Sequence, residues 1–319
     1  MTQVKGEAPA FQQGSATAPF SSVMTGWRAN HCTMSYGHIG EDLISLAVLR
    51  RVRSAWSRDA ARRRFMDDGS RPVTAQGGEG METLKDTVAV VTGGSAGIGR
   101  ATARELLAAG ARVVLGARRR DRLEAIEAEF PGQAVAVEMD VRSPDQCRRL
   151  VSTAVERFGR LDSLIANAGI GMYGGILDQT DEALATMLDT NIAGTIWPIR
   201  AAVPGMVEAG RGDIVIVASV AGFRGGADEA VYAATKFAQV GLAGALDREL
   251  REKGIRVTTI GPAGTATEFA IGSGRTEDMP ELDTYLRPED IAFAIRTVLE
   301  QPRRLRTQNW TIWSMAQGS

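Results

Sequence analysis

Histidine is nearly missing from this 319-residue chain, and its placement excludes more than its scarcity. Both copies, His31 and His38, precede residue 80. Acid–base or metal chemistry beyond that point must proceed without imidazole, which excludes a Ser-His-Asp hydrolase and a His-ligated zinc enzyme from the larger part of the chain. Only two cysteines occur, Cys32 and Cys147. They stand in very different settings, so no disulfide framework is expected and a reducing, cytoplasmic compartment fits. Long hydrophobic runs are absent as well. "LISLAVL" falls far short of the roughly 18 residues of a membrane span, and "MTQVKGEAPAFQQ" lacks the basic-then-apolar order of a signal peptide. A surplus of one charge is also lacking. The 37 Lys+Arg and 38 Asp+Glu leave −1, which points to neither nucleic acid nor a membrane surface as partner.

What is present divides near Met81. The early part is patchy and rich in Gly, Ser, Ala and Arg. Its one periodic piece, about Glu41 to Asp67, has the pattern of a basic amphipathic helix. It reads either as a docking helix or as a poorly ordered appendage, and the appendage is the expectation. "GGEG" before Met81 would be encoded by a purine-rich run, as a translated ribosome-binding site would be. Residues 1–80 are therefore expected to be a disordered extension or the product of a mis-set start. One domain is expected over 81–319.

From Met81 onward, apolar runs alternate with helix-period sequence. "TVAVVT" (87–92), "RVVLGA" (112–117), "AVAVEM" (134–139), "LDSLIAN" (161–167), "DIVIVAS" (213–219) and "IRVTTIG" (255–261) read as strands. Helices are expected between them, one stopping at Gly110 and one starting at Ser143-Pro144, with Gln146 completing a capping box. Continuous rather than alternating apolar strands imply burial on both faces. The fold class is α/β, a Rossmann-type doubly wound parallel sheet flanked by helices.

"VTGGSAGIGRA" (91–101) joins the first strand to the first helix. Glycines there allow a tight turn and let backbone N–H groups approach a pyrophosphate at the helix N-terminus. Thr92, Gly93, Gly97 and Gly99 match TGxxxGxG, and here the chain resembles the short-chain dehydrogenase/reductase family. The resemblance runs from about residue 85 to the C-terminus. It implies cofactor contacts from Gly93, Ser95, Gly97, Ile98 and Gly99. Asp140-Val141 matches the pair bordering the adenine, and Asn167-Ala168-Gly169 matches the NAG motif that shapes the cofactor cleft. Pro262, Thr265 and Thr267 fall in the segment that receives the nicotinamide carboxamide, with Ala263 in place of the usual glycine.

The second strand ends "LGARRRDR", with Ala117 where NAD users of the family carry an acid. A carboxylate there would bond the ribose 2′-OH of NAD, whereas a guanidinium grips the 2′-phosphate of NADP. Arg118 therefore points to NADP, with Arg119 and Arg120 raising the local positive potential.

Tyr232 and Lys236 lie four apart in a helix-forming run and share one face. A lysine cation and an oxidised nicotinamide would lower a phenol pKa from its usual value near 10, making a tyrosine a usable general acid/base without histidine. Ser219 stands at the family's offset from that tyrosine, and Asn191 matches the family asparagine. The resemblance thus implies a tetrad of Asn191, Ser219, Tyr232 and Lys236. It also implies a homodimer or homotetramer through the long helices carrying Asn191 and Tyr232. A lid is expected over 267–290, and pocket walls from Ile170, Met172, Tyr173, Phe223 and Arg224, the last a candidate partner for a substrate carboxylate. The expected activity is NADP(H)-dependent hydride transfer with a small aldehyde, ketone or hydroxy acid, needing no metal. The alternatives are a 3-oxoacyl-carrier-protein reductase and a non-catalytic cofactor-bound sensor or scaffold.

Overall fold

The computed structural model describes residues 80–318; the helix expected over Glu41–Asp67, and the expected disorder before residue 80, lie outside the described residues. Seven strands form one wholly parallel sheet: β1 Val88–Thr92, β2 Arg112–Ala117, β3 Ala134–Glu138, β4 Ser163–Ala166, β5 Gly212–Val217, β6 Ile255–Pro262 and β7 Asn309–Ile312. Their order is β3-β2-β1-β4-β5-β6-β7. Every residue of β1, β5 and β6 is buried, the outcome of apolar strands covered on both faces.

The covering helices are α1 Gly97–Ala108, α2 Arg120–Glu129, α3 Pro144–Phe158, α4 Asp181–Leu188, α5 Gly194–Ala209, α6 Ala230–Leu250 and α7 Pro288–Leu299. Leu106, Leu123, Ile126 and Ile295 of α1, α2 and α7 close over Leu115, Ile165 and Ile260 on one face. Leu150, Ile199 and Leu250 of α3, α5 and α6 close over Val114, Leu164 and Ile214 on the other. This is the doubly wound α/β arrangement, with each expected strand within two residues of its place.

Two local details matter later. Arg256, a charge inside β6, has a side chain only 6% exposed and bonds Asp213 Oδ1 at 2.6 Å; Arg303 takes Asp213 Oδ2 at 2.7 Å. At the start of α3, Ser143 Oγ accepts from the Gln146 N–H as expected, but the capping box does not close. The Ser143 N–H is already given to the Asp140 carbonyl at 3.0 Å, so Gln146 Oε1 accepts from the Asp140 N–H instead. That bond fixes the chain where it leaves β3.

Strand order reverses between β1 and β4. Connections leave the sheet toward opposite faces there, which opens a crevice at the carboxyl ends of the strands.

Candidate active site

The crevice holds a cavity of about 750 Å³ that runs from Arg118 past the glycine loop to Tyr232 and Trp313. Its floor at the β1 end is held by one hydroxyl. Thr92 Oγ1 accepts from the N–H groups of Asn167 and Ala168 at 3.1 and 3.2 Å, while Asn167 Nδ2 donates to the Thr92 carbonyl at 3.0 Å. The TG and NAG segments are thereby tied together. Gly93 has φ 68°, and a Cβ there would lie 2.8 Å from Asn167 Nδ2. A Cβ on Gly99 would collide with the Gly93 carbonyl oxygen. The loop packs backbone on backbone, with Ser95, Gly97 and Ile98 facing the cavity and Thr267 resting on Gly97.

Four arginines follow β2. Arg119 Nη1 bonds Glu268 Oε2 at 2.7 Å, Arg122 Nη1 bonds Glu268 Oε1 at 2.6 Å, and Arg120 bonds Glu124 within its own helix. Arg118 is exposed, lines the cavity, and makes no ion pair among the described residues. Of the expected positive cluster, only Arg118 presents its charge to the cleft without a carboxylate partner. Asp140 and Val141 line the same end. The Asp140 carboxylate is held by Arg142 at 2.6 Å, which pulls its pKa below the ordinary value.

Tyr232, Ser219 and Lys236 come together at the other end. Ser219 closes the turn after β5. Its hydroxyl faces the Tyr232 phenol and lowers that group's pKa, accepts from the Ala221 N–H at 3.1 Å, and donates to the Pro262 carbonyl at 3.4 Å. Lys236 Nζ sits 5.6 Å from the Tyr232 ring centroid and donates to Gln239 Oε1 at 3.0 Å and to the Val217 carbonyl at 3.3 Å. Asn191, fully buried, exchanges two 2.8 Å bonds with the Ile170 backbone and donates to Thr235 Oγ1 at 3.1 Å. Gly169 fits between it and Lys236.

The electrostatics differ from expectation. Burial, then the neighbouring Tyr173, raises the Tyr232 pKa, against the Ser219 hydroxyl and Arg275. Burial also pushes Lys236 down to about 7. With both groups taken from water, burial dominates both shifts. The lowering of the phenol was expected from a lysine cation and an oxidised nicotinamide together, and Lys236 is not among the groups that lower it here.

The pocket walls need two corrections. Ile170, Tyr173 and Arg224 line the cavity as expected, whereas Met172 packs with Met187 and Ala221 beneath it. Phe223 leaves the cavity because the 3₁₀ turn Val220–Gly222 directs its ring onto Gly261, a place without a side chain. Arg224 is stacked over the Trp313 ring at 4.8 Å. Thr265 lines the cleft and bonds the Ala263 carbonyl at 3.0 Å; Ala263 itself pairs with Ile312.

A family model described as short chain dehydrogenase matches residues 87–278. The chain belongs to the short-chain dehydrogenase/reductase family. An uncharacterized oxidoreductase of Staphylococcus aureus (strain MRSA252) is 34% identical over 233 residues, 73% of this chain and 99% of that protein. The alcohol dehydrogenase of the archaeon Thermococcus sibiricus, solved with 5-hydroxy-NADP, superposes with a TM-score of 0.68 at 29% identity, over 73% of this chain and 98% of its own. The 3-ketoacyl-(acyl-carrier-protein) reductase of Brucella melitensis, solved with NADH, gives 0.68 at 26% over 73% and 99%. The protein is thus a dehydrogenase/reductase of this family.

Against the short-chain dehydrogenase/reductase pattern, three residues stand out that the sequence reading missed. Gln239 takes the Lys236 ammonium and gives its Nε2 to the Asn191 carbonyl and to Thr195 Oγ1, both at 2.8 Å. Its spacing of three from Lys236 on one helix face was the available signal. Glu268 and Arg275 come from the expected lid, where the structure has a tight turn near 270–275 and a 3₁₀ helix over Pro280–Thr284. No periodicity marked either residue.

Proposed function

We propose that the protein transfers a hydride between NADP(H) and a small carbonyl or alcohol substrate, with Tyr232 exchanging the proton. The observation that carries this reading is the meeting of Tyr232, Ser219 and Lys236 at one end of a single cleft whose other end is the Gly93–Gly99 loop and Arg118. When bound, the nicotinamide accepts or supplies the hydride.

The chain's own groups do the rest. The fit of a dinucleotide rests on the cradle: a Cβ at Gly93 or Gly99 would fill the space where backbone approaches backbone, as close pyrophosphate binding at a helix N-terminus requires. The Arg118 guanidinium is the donor for the 2′-phosphate. Asp140, Val141, Asn167, Ala168, Gly169, Pro262, Thr265 and Thr267 wall the cofactor channel. The Ser219 hydroxyl orients the substrate oxygen against the Tyr232 phenol. That phenol donates its proton as a carbonyl becomes an alcohol and takes it back in reverse. Lys236, held by Gln239, and Asn191 keep that end of the site in register.

The test follows nicotinamide absorbance with NADPH and with NADH across small aldehydes, ketones and oxo acids, beside Tyr232→Phe. NADPH oxidation lowered by about 10²–10⁴-fold in the variant is expected. Equal turnover by the variant would remove Tyr232 from the role. No binding of either nucleotide would overturn the reading.

A further inference from the structure

The turn after Thr267 is built around one guanidinium. The Arg275 N–H donates to the Ala270 carbonyl at 3.1 Å, and the Gly272 N–H donates to the Arg275 carbonyl at 2.9 Å. Ser273 accepts the Tyr173 N–H at 3.0 Å, and Gly274 (φ 104°) passes so close that a Cβ would lie 2.5 Å from that of Tyr173. This clamps the turn onto the cavity wall and aims Arg275 inward. Its guanidinium carbon stands 5.7, 5.9 and 5.2 Å from the ring centroids of Tyr173, Phe269 and Tyr285. Tyr173 and Phe269 also pack on Tyr232, at 5.5 and 5.9 Å.

Arg275 Nη1 donates to the Thr265 carbonyl at 3.3 Å, and the guanidinium reaches the Tyr173 phenol. The remainder of its five N–H donors have no carboxylate among the described residues. The carboxylates that share the cavity are engaged elsewhere: Glu229 by the Gly226 N–H at 2.7 Å, Glu268 by Arg119 and Arg122, and Asp140 by Arg142. Arg224, the cation expected to meet a substrate, lines the same cavity and stacks over Trp313, whereas Arg275 stands among the rings that pack on Tyr232.

We propose that Arg275 is the specificity-determining residue of the substrate end, gripping the carboxylate of a small hydroxy or oxo acid whose reacting oxygen lies against Tyr232 and Ser219. This rests on the proposed oxidoreductase reading and names its substrate class. Three rings pack around the half-buried guanidinium, so charge-assisted hydrogen bonds to it are less exposed to solvent than at an open surface. The planar fork suits a carboxylate, and aromatic faces hold it in one orientation. The carboxylate stays outside the bond changes.

The experiment pairs small 2- and 3-hydroxy acids with their methyl esters, using wild type, Arg275→Met and Arg275→Lys, each checked for an unchanged melting profile. Wild type is expected to favour the acids. Arg275→Met should lose at least about tenfold in kcat/KM on acids, the scale of a lost charged hydrogen bond, and change little on esters. Arg275→Lys should fall between. Equal losses on both classes, or no wild-type preference for acids, would overturn the assignment and leave Arg275 a clamp on the turn. Calorimetric binding of malonate to the NADP⁺-loaded protein reads the same residue without turnover. Heat in wild type that vanishes in Arg275→Met supports the grip even if no hydroxy acid is oxidised; heat that is absent, or equal in both, overturns it. The oxidoreductase reading fails separately, if neither nucleotide binds or if aldehydes, ketones and oxo acids are also left unreduced.

Discussion

Lys236 and Gln239, three residues apart on α6, are joined by a 3.0 Å hydrogen bond inside the protein, and the same glutamine amide holds the Asn191 carbonyl at 2.8 Å. The lysine is 3% exposed and Gln239 is 1% exposed. One buried side chain thus bonds both Lys236 and the backbone of Asn191.

Gln239 is therefore a positioning residue on the proposed reading. Gln239→Leu leaves Lys236 with the Val217 carbonyl as its remaining hydrogen-bond acceptor among the described residues. We expect about a tenfold fall in kcat and a loss of about 1–3 kcal/mol of stability from the orphaned polar groups. Gln239→Glu keeps an acceptor and adds a negative charge, which raises the lysine pKa. A carboxylate cannot donate to the Asn191 carbonyl, so a pH–rate profile displaced upward in the Glu variant, with a smaller loss of kcat than in Gln239→Leu, would confirm positioning of Lys236; identical profiles in all three proteins would refute it.

Lys236 gives stability a pH dependence of known sign. Its folded pKa, pushed down to about 7 by burial, lies below the unfolded value near 10.4. Between those values the unfolded chain binds a proton that the folded chain does not, so the contribution to stability rises with pH and is flat below about 7. Lys236→Met removes it. The stability of wild type relative to that variant should climb from about pH 7 to about pH 9.5, by at most about 1.4 kcal/mol per pH unit. Denaturant unfolding across that range measures it; parallel curves would contradict it.

Arg118→Gln should separate the two nicotinamide cofactors. Loss of a charged donor to the 2′-phosphate is expected to weaken NADPH by about 10–100-fold and to leave NADH nearly unchanged. Fluorescence titration with each nucleotide reads the ratio. If both weaken equally, the 2′-phosphate is held elsewhere, and Arg119, released from Glu268, is the next residue to test.

Asp213 bears on the fold rather than the site. Asp213→Ala leaves Arg256 in the sheet and Arg303 beside it without their shared carboxylate. Breaking a buried pair from one side costs about 3–5 kcal/mol. Equilibrium unfolding in urea would show it. A cost below about 1 kcal/mol would mean that the main-chain oxygens of Leu299 and Gln301, which also bind Arg256, suffice.

The sheet was legible because its strands are uninterrupted apolar runs, and the cleft because Gly93, Asn167, Ser219, Tyr232 and Lys236 sit at spacings that survive without knowledge of the packing. What could not be read arises between distant segments. Glu268 meets Arg119 across 149 positions, and Arg275 lies in a Gly- and Ser-rich loop with no periodicity to mark it. Desolvation of Tyr232 is a sum over neighbours such as Tyr173 and Phe269, which helical spacing cannot supply. Phe223 was assigned to the pocket by its place after Ser219, and a single 3₁₀ turn moved it. The capping box at Ser143 failed for a similar reason, because Gln146 had a better-placed donor in Asp140.

Asn191 lies in a π-helical turn, Asp189–Ala193, inserted between α4 and α5. The Gly194 N–H reaches back five residues to the Asp189 carbonyl. A turn of this kind holds one more residue than the α-helices on either side of it. Each residue turns an α-helix by about 100°, so the wide turn acts as a phase setting between two otherwise regular helices. Deleting one residue within it would let the backbone close as continuous α-helix at little local cost. Asn191 would then be rotated by about a quarter turn away from Ile170 and Gln239, and the cleft would lose its anchor while the fold remained.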